Sequence, residues 1–314
     1  MRFGAAFWAQ RTAWPDLRRA IEHAEAVGFD SVWIDDHLLC DEGDWTDPKL
    51  EGWTTLAAAA AVTRRVQLGP LVSANTFRSP GLTAKLAVTL DHASNGRAVL
   101  GLGAGWFDRE HEAFGIDFGA GFGARLDRLA EAVPLIRRLL DGERVTHDGP
   151  FYRMHDAVCR PLPVQRRLPL LIGGIGPRKT LPLVARHADI WNGRGDPEAL
   201  RAIGARLRAL CDDLGRDHRE IERSIYLNVL VRPTTADAYA AWEAVRRRHH
   251  PPTGEDRPEV VGTVDDVVAG LRAYADAGIE HAIWVLRSPF DLATMDALPV
   301  IRARLAAPAG SAPG

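Results

Sequence analysis

The chain has 314 residues, 46% of them hydrophobic and 25% charged, with a formal net charge of −2. These proportions exclude a disordered chain. The near-neutral balance excludes a nucleic-acid binder built on a basic field. Of the 39 basic residues only Lys49, Lys85 and Lys179 are lysine, so arginine supplies nearly all the cationic groups.

Phe3–Trp8 reads as a strand that follows Met1 directly, with no basic and apolar leader of the secretory kind. Trp14-Pro-Asp opens a helix carrying Leu17, Ala20, Ile21, Ala24 and Val27 at helical spacing, and Gly28 stops it. Ser31–Asp35 is a second strand, followed by a long polar loop to Gly52 and a helix over Trp53–Thr63. Val66–Ser73 is a third strand, Pro80–His92 a helix, Ala98–Leu102 a fourth strand and Arg125–Leu140 an amphipathic helix. Asp148-Gly149, flanked by Val145 and by Phe151 and Tyr152, predicts a small hairpin over Glu143–Arg153. Strand Leu168–Ile172, helix Arg178–His187, strand Asp189–Asn192 and helix Pro197–Leu214 resume the rhythm. Strand Ser224–Val231, helices Ala236–Arg248 and Val264–Ala277, strand His281–Leu286 and helix Leu292–Leu305 complete it. Residues 306–314 are rich in Pro, Gly, Ala and Ser and read as a flexible tail.

About eight strand runs alternate with helices, which implies parallel strands with right-handed crossovers. A closed eightfold barrel and a doubly wound open sheet both fit. The first strand–helix turn, Trp8-Ala-Gln-Arg-Thr-Ala-Trp-Pro, lacks the glycine fingerprint of the open sheet. The expectation is therefore α/β: one (β/α)8 TIM barrel over residues 1–305, with insertions at the C-terminal face of its strands. No apolar run reaches the ~18 residues of a membrane span. Cys40, Cys159 and Cys211 are odd in number and widely spaced, which suits reduced thiols in a cytoplasmic protein and no metal pair.

Barrel chemistry gathers at the C-terminal strand ends. Trp8, Trp106, Trp191 and Trp284 all fall there. Together they would wall a flat apolar pocket for a planar ring; singly, each would cap the barrel core. Gly101, Gly103 and Gly105 invite a nucleotide reading but fail the dinucleotide spacing because Trp106 occupies its last position; the alternative is a strand end with positive φ or close backbone approach, and on both readings something packs tightly there. Gly173-Gly174-Ile175-Gly176 follows a strand and precedes a helix bearing Arg178 and Lys179. Exposed amides at a helix start suit a phosphate, and a plain tight turn is the alternative. Asp35-Asp36-His37 is the acid–base candidate; strand neighbours point to opposite faces, so Asp36 and His37 need not pair, though in a catalytic reading Asp36 would set the orientation or charge of His37. His249-His250 reads as solvated, and Glu110-His111-Glu112 lacks metal spacing. The insertions 38–52, 107–123 and 248–259 would build the substrate pocket; the second, with Gly115, Gly119, Gly121 and Gly123, is either a mobile lid or an ordered loop.

Several segments together resemble the luciferase-like monooxygenase superfamily, in its deazaflavin (coenzyme F420)-dependent oxidoreductase branch. They are AVGFDSVWIDDH (26–37), EGWTTL (51–56), VQLGPLVSANTFRSP (66–80), GRAVLGLGAGW (96–106) and residues 125–140, 143–152 and 171–193. The resemblance implies a barrel, often dimeric, with the cofactor ring at the strand C-termini and a non-prolyl cis peptide at Leu71–Val72. It implies catalytic roles for His37 and Asp36. It implies cofactor contacts at Leu71, Val72, Ala74, Gly103, Trp106, Arg109, Gly173, Gly174, Ile175, Gly176, Trp191, Asn192 and Gly193. Trp8, Trp106 and Trp284 would face the substrate. The sugar-phosphate dehydrogenase branch carries a proton-donating glutamate where this chain has Trp106, which disfavours a sugar phosphate and makes His37 the leading proton-transfer group. Three functions follow as expectations: an F420-dependent oxidoreductase acting on a small molecule; a reduced-FMN monooxygenase fed by a separate reductase; or a barrel without catalysis. A homodimer is expected, with no nucleic-acid or membrane partner.

Overall fold

A computed structural model describes residues 1–250 and 259–307. The strands are β1 (Arg2–Phe7), β2 (Ser31–Ile34), β3 (Gln67–Pro70), β4 (Ser73–Ala74), β5 (Leu100–Gly103) and β6 (Val145–Asp148). They continue as β7 (Arg153–Ala157), β8 (Leu170–Gly173), β9 (Ile190–Gly193), β10 (Glu222–Val231), β11 (Glu259–Gly262) and β12 (His281–Leu286). The helices are α1 (Trp14–Val27), α2 (Gly52–Val62), α3 (Pro80–Ser94), α4 (Asp108–Phe114), α5 (Phe122–Leu140) and α6 (Thr180–His187). They continue as α7 (Pro197–Asp213), α8 (Thr235–His249), α9 (Val264–Asp276), α10 (Leu292–Asp296) and α11 (Leu298–Ala306).

The strands pair in the order β3-β2-β1-β12-β10-β9-β8-β5-β4, all parallel. A parallel bridge from Leu68 to Ala98 brings β3 back beside β5. Because β3 and β4 are two halves of one interrupted strand, the nine elements on this path make eight barrel positions, and the barrel closes. The interruption is the cis peptide Leu71–Val72.

Side chains alternate between two cores, as a strand period of two requires. Ala6, Trp8, Trp33, Leu71, Val99, Leu171, Ile190, Ile283 and Val285 fill the barrel. Their strand neighbours, among them Phe7, Ile34, Leu100, Ile172, Trp191 and Trp284, face the helices. At the N-terminal end of the strands Trp33 Nε1 donates to Ser31 Oγ, which lies 2.9 Å from His281 Nε2, and His281 Nδ1 reaches Glu222 at 2.8 Å. That polar chain closes one end of the barrel and leaves the other for function.

Most expected elements are present. The hairpin is β6–β7, in register at Asp148↔Arg153. Two elements were not anticipated. Helix α4 lies inside the 107–123 insertion. Strand β11 adds in parallel to the far end of β10 and packs Val261 against Leu230, Ala238 and Trp242. The expected helix over 292–305 is two, α10 and α11, divided at Ala297. Ala306 ends α11; residues 308–314 of the expected tail and most of the 248–259 insertion lie outside the described residues. Among the described residues no helix is long and apolar enough to cross a membrane.

Candidate active site at the barrel mouth

The bulge at Leu71–Val72 sets the floor of the mouth. Leu71 N donates to Ile34 O at 2.9 Å, and Leu71 packs inside the barrel. Val72 reaches across toward β5 and β8. A Cβ on Gly103 would sit 2.5 Å from Val72 Cγ2, and one on Gly173 would sit 3.4 Å from Val72 Cγ1. The strand-end glycines therefore clear space for Val72; no nucleotide loop is needed to explain them.

The Gly173–Gly176 turn leads toward α6. Gly174 takes a φ of +125°, which side-chain-bearing residues avoid, and its N–H donates to Asn192 O at 2.9 Å. A Cβ on Gly176 would fall 2.9 Å from Thr180 Oγ1. The backbone thus lies tight against the start of α6. Among the described residues no backbone acceptor pairs with the amides of Ile175 and Gly176. The turn can therefore accept an anion. Lys179 is tied to Gly123 O at 3.0 Å and to Asp127 at 2.6 Å, so it serves the neighbouring α5 first.

The tryptophans divide. Trp8 lies on the inward face and is 5% exposed. Trp106 stands open, 58% exposed, stacked on Phe107 at 5.4 Å and edge-on to His37 at 5.3 Å. Trp284 corrects the expected pocket: it is fully buried on the outward face, edge-on to Phe29 at 5.3 Å and Phe3 at 5.9 Å. Its parity with Ala282 and Leu286 sends it toward the helices. Trp191 also faces outward, on the same parity argument. Its Nε1 donates to Gly174 O at 2.8 Å, and its ring fills the space a Gly193 side chain would need. Trp191 braces the turn from behind. Asn192 faces inward, but its amide donates to Ser224 Oγ at 3.0 Å.

Asp36 and His37 part company. Asp36 is buried and accepts hydrogen bonds from Ser73 Oγ (2.8 Å), Ala74 N (3.2 Å) and both Arg78 terminal nitrogens (2.6 and 3.0 Å). Burial pushes its carboxyl up, and the Arg78 guanidinium opposes that push without overcoming it. Asp36 does not orient His37, as its expected role required; it clamps β4 to α3's leading loop instead. His37 Nδ1 donates to Glu110 Oε1 at 2.9 Å, and Glu110 Oε2 accepts from Leu38 N at 2.8 Å. On the other side His37 Nε2 lies 3.8 Å from Asp41, and Lys49 lies 3.7 Å from Asp41 while contacting Asp35. Burial pulls the imidazole down, yet Asp41 and Glu110 outweigh it and raise His37 to about 9.

Helix α4 is pinned to this site. His111 is buried, with Nε2 2.7 Å from Thr76 Oγ1 and Nδ1 2.7 Å from Phe107 O. The first half of the 107–123 insertion is therefore an ordered element. Arg109 points away, pairing with Glu112 at 2.9 Å and covering the Trp45 ring at 4.3 Å. His249 is buried, contrary to the solvated reading, and desolvation beside Arg287 lowers it to about 4. Sequence reasoning missed Glu110, Asp41, Lys49 and Arg78. Glu110 appeared only as part of a motif with the wrong spacing for metal. A surface cavity of about 650 Å³, lined in part by Arg2, Gln67, Glu222 and Glu280, lies at the opposite end of the barrel, and none of the candidate residues lines it.

Residues 1–256 match the family model described as luciferase-like monooxygenase. An F420-dependent glucose-6-phosphate dehydrogenase of Kineococcus radiotolerans is 30% identical over 288 residues, covering 83% of this chain and 84% of that protein. One of Intrasporangium calvum is 38% identical over 186 residues, covering 54% of this chain; the match spans about half of the relative's length, 51%. Among solved structures, an F420-dependent secondary alcohol dehydrogenase with an F420–acetone adduct has a TM-score of 0.83 at 21% identity, covering 98% of this chain and 99% of that one. A long-chain alkane monooxygenase has a TM-score of 0.81 at 15% identity, covering 97% and 91%.

Proposed function

The chain belongs to the luciferase-like monooxygenase family, and within it we propose an oxidoreductase that uses coenzyme F420 for hydride transfer to or from a small organic substrate. The observation that carries this reading is one barrel mouth holding both an anion-accepting turn and a partly buried, protonatable His37 beside an open aromatic. The turn at Gly174–Gly176 fits the phosphate of a ring cofactor, since any side chain at Gly174 or Gly176 would press on Thr180. Val72, Leu71 and Ala74 would border the ring. When bound, such a cofactor supplies the redox chemistry that side chains lack.

His37 would exchange a proton with the reacting group of the substrate. Trp106 and Phe107 offer it a flat apolar wall, so the substrate is a planar or apolar molecule rather than a sugar phosphate. The relative matched along most of its length is named for F420, which supports F420 over FMN. The monooxygenase reading rests on the solved alkane monooxygenase neighbour. The non-catalytic reading loses its main support because Trp191 and Trp284 face away from the mouth and do not block it. Titrating the purified protein separately with F420 and FMN tests the proposal. Micromolar or tighter F420 binding is expected, and tight FMN binding without F420 affinity overturns it.

A further inference from the structure

Two carboxylates bracket His37 from different elements. Glu110 comes from α4 and is 1% exposed; the Asp41 side chain comes from the loop after β2 and is 4% exposed. Neither charge is screened by solvent. We propose that Glu110 and Asp41 are positioning residues that hold His37 doubly protonated, so that this site gives a proton to its substrate and does not take one. This rests on reading His37 as the proton-transfer group.

A neutral imidazole has one donor and one acceptor nitrogen. Between two carboxylates its acceptor lone pair would face a carboxylate oxygen on one side. The imidazolium donates from Nδ1 to Glu110 at 2.9 Å and also presents its positive charge to Asp41, which lies at ion-pair distance, 3.8 Å, from Nε2. Among the described residues, the charged groups that act on His37 are Asp41 and Lys49 from the loop and Glu110 from the helix, with Asp35 behind Lys49. Lys49 lies 3.7 Å from the other Asp41 oxygen. The upward shift of His37 to about 9 agrees in direction. Nδ1 is committed to Glu110, so Nε2 is the nitrogen left for a substrate.

The proton leaves Nε2 with the N–H electron pair staying on the ring. A basic oxygen or nitrogen of the substrate receives it, and water recharges the neutral imidazole. With the Trp106–Phe107 wall alongside, the substrate class is a planar conjugated carbonyl or imine.

The test needs no cofactor. His37 is followed by NMR in ring-¹⁵N-histidine protein from pH 5 to 10.5, with His37→Gln identifying its signals. Wild type should titrate near 9. Glu110→Gln should lower the midpoint by about one pH unit or more, and Asp41→Asn should also lower it. Glu110→Asp should restore a near-wild-type value. Asp41→Asn keeps the test decisive if Glu110→Gln does not fold, because Glu110 also holds the Leu38 amide. A wild-type midpoint near 6.5, or midpoints unmoved in the variants, overturns the proposal. Failure to bind F420 or FMN would sink the functional reading and leave this result standing.

Discussion

Replacing Asp36 by alanine separates a structural clamp from a chemical role. The change removes two Arg78 contacts at 2.6 and 3.0 Å and the bonds from Ser73 Oγ and Ala74 N. Arg78, with a side chain 12% exposed, keeps Glu51 at 3.1 Å, and Glu51 is 38% exposed on the rim. Removing one partner of a buried pair costs about 3–5 kcal/mol. Because Glu51 remains, the lower end applies, about 3 kcal/mol. At roughly 2 °C per kcal/mol for a chain of this size, Tm should fall by about 6 °C. Thermal denaturation of wild type, Asp36→Ala, Arg78→Met and the double variant checks this. The double variant should lose at least about 1 kcal/mol less than the sum of the singles, since no charge is then left buried alone. The His37 midpoint should be unchanged in Asp36→Ala. A variant with wild-type Tm and abolished turnover would refute the clamp and return Asp36 to the chemistry.

The folded-state value of His37 lies above its ordinary one, so its contribution to stability is full below about pH 6.5 and lost as pH rises through about 9. Denaturation at both pH values should show wild type losing up to about 3 kcal/mol more than His37→Gln, and equal losses would contradict the raised value. Gly174→Val should weaken cofactor binding at least tenfold by calorimetry, since its φ of +125° and a Cβ 3.1 Å from Thr180 Cγ2 disfavour any side chain there; unchanged affinity removes the turn from the cofactor site. Trp284→Phe should change stability by less than about 1.5 kcal/mol, because the lost volume is offset by removal of a buried N–H that has no hydrogen-bond partner among the described residues. It should leave ligand binding untouched, and altered binding would contradict the outward placement.

The barrel was legible because strand and helix periods alternate along the chain and each strand end carries glycine or a polar residue. Period two also contained the answer for the tryptophans. Trp284 shares the parity of Ala282 and Leu286, whereas Ile283 and Val285 share the inward parity, so reading the strand as two faces would have sent Trp284 to the helix layer. Position at a strand end was a weaker signal than parity within the strand. Strand β11 was hidden because Glu259–Gly262 is only four residues long and stands next to a Pro-rich stretch.

The partners of His37 were not readable for a different reason. His37 and Glu110 are 73 residues apart and meet only because α4, which follows β5, folds back over the end of β2. Local spacing carries no trace of such a contact. Asp36 illustrates the converse: consecutive residues at a strand end project to different sides, so its adjacency to His37 did not make a pair, and Arg78 captured the carboxylate from 42 positions away. What decides whether His37 gives or takes a proton is therefore Glu110 on α4 and Asp41 on the loop, two insertions that the barrel frame does not specify. The same frame with Glu110 and Asp41 neutral would leave burial and Lys49 to pull His37 below its ordinary value and make it available as a base.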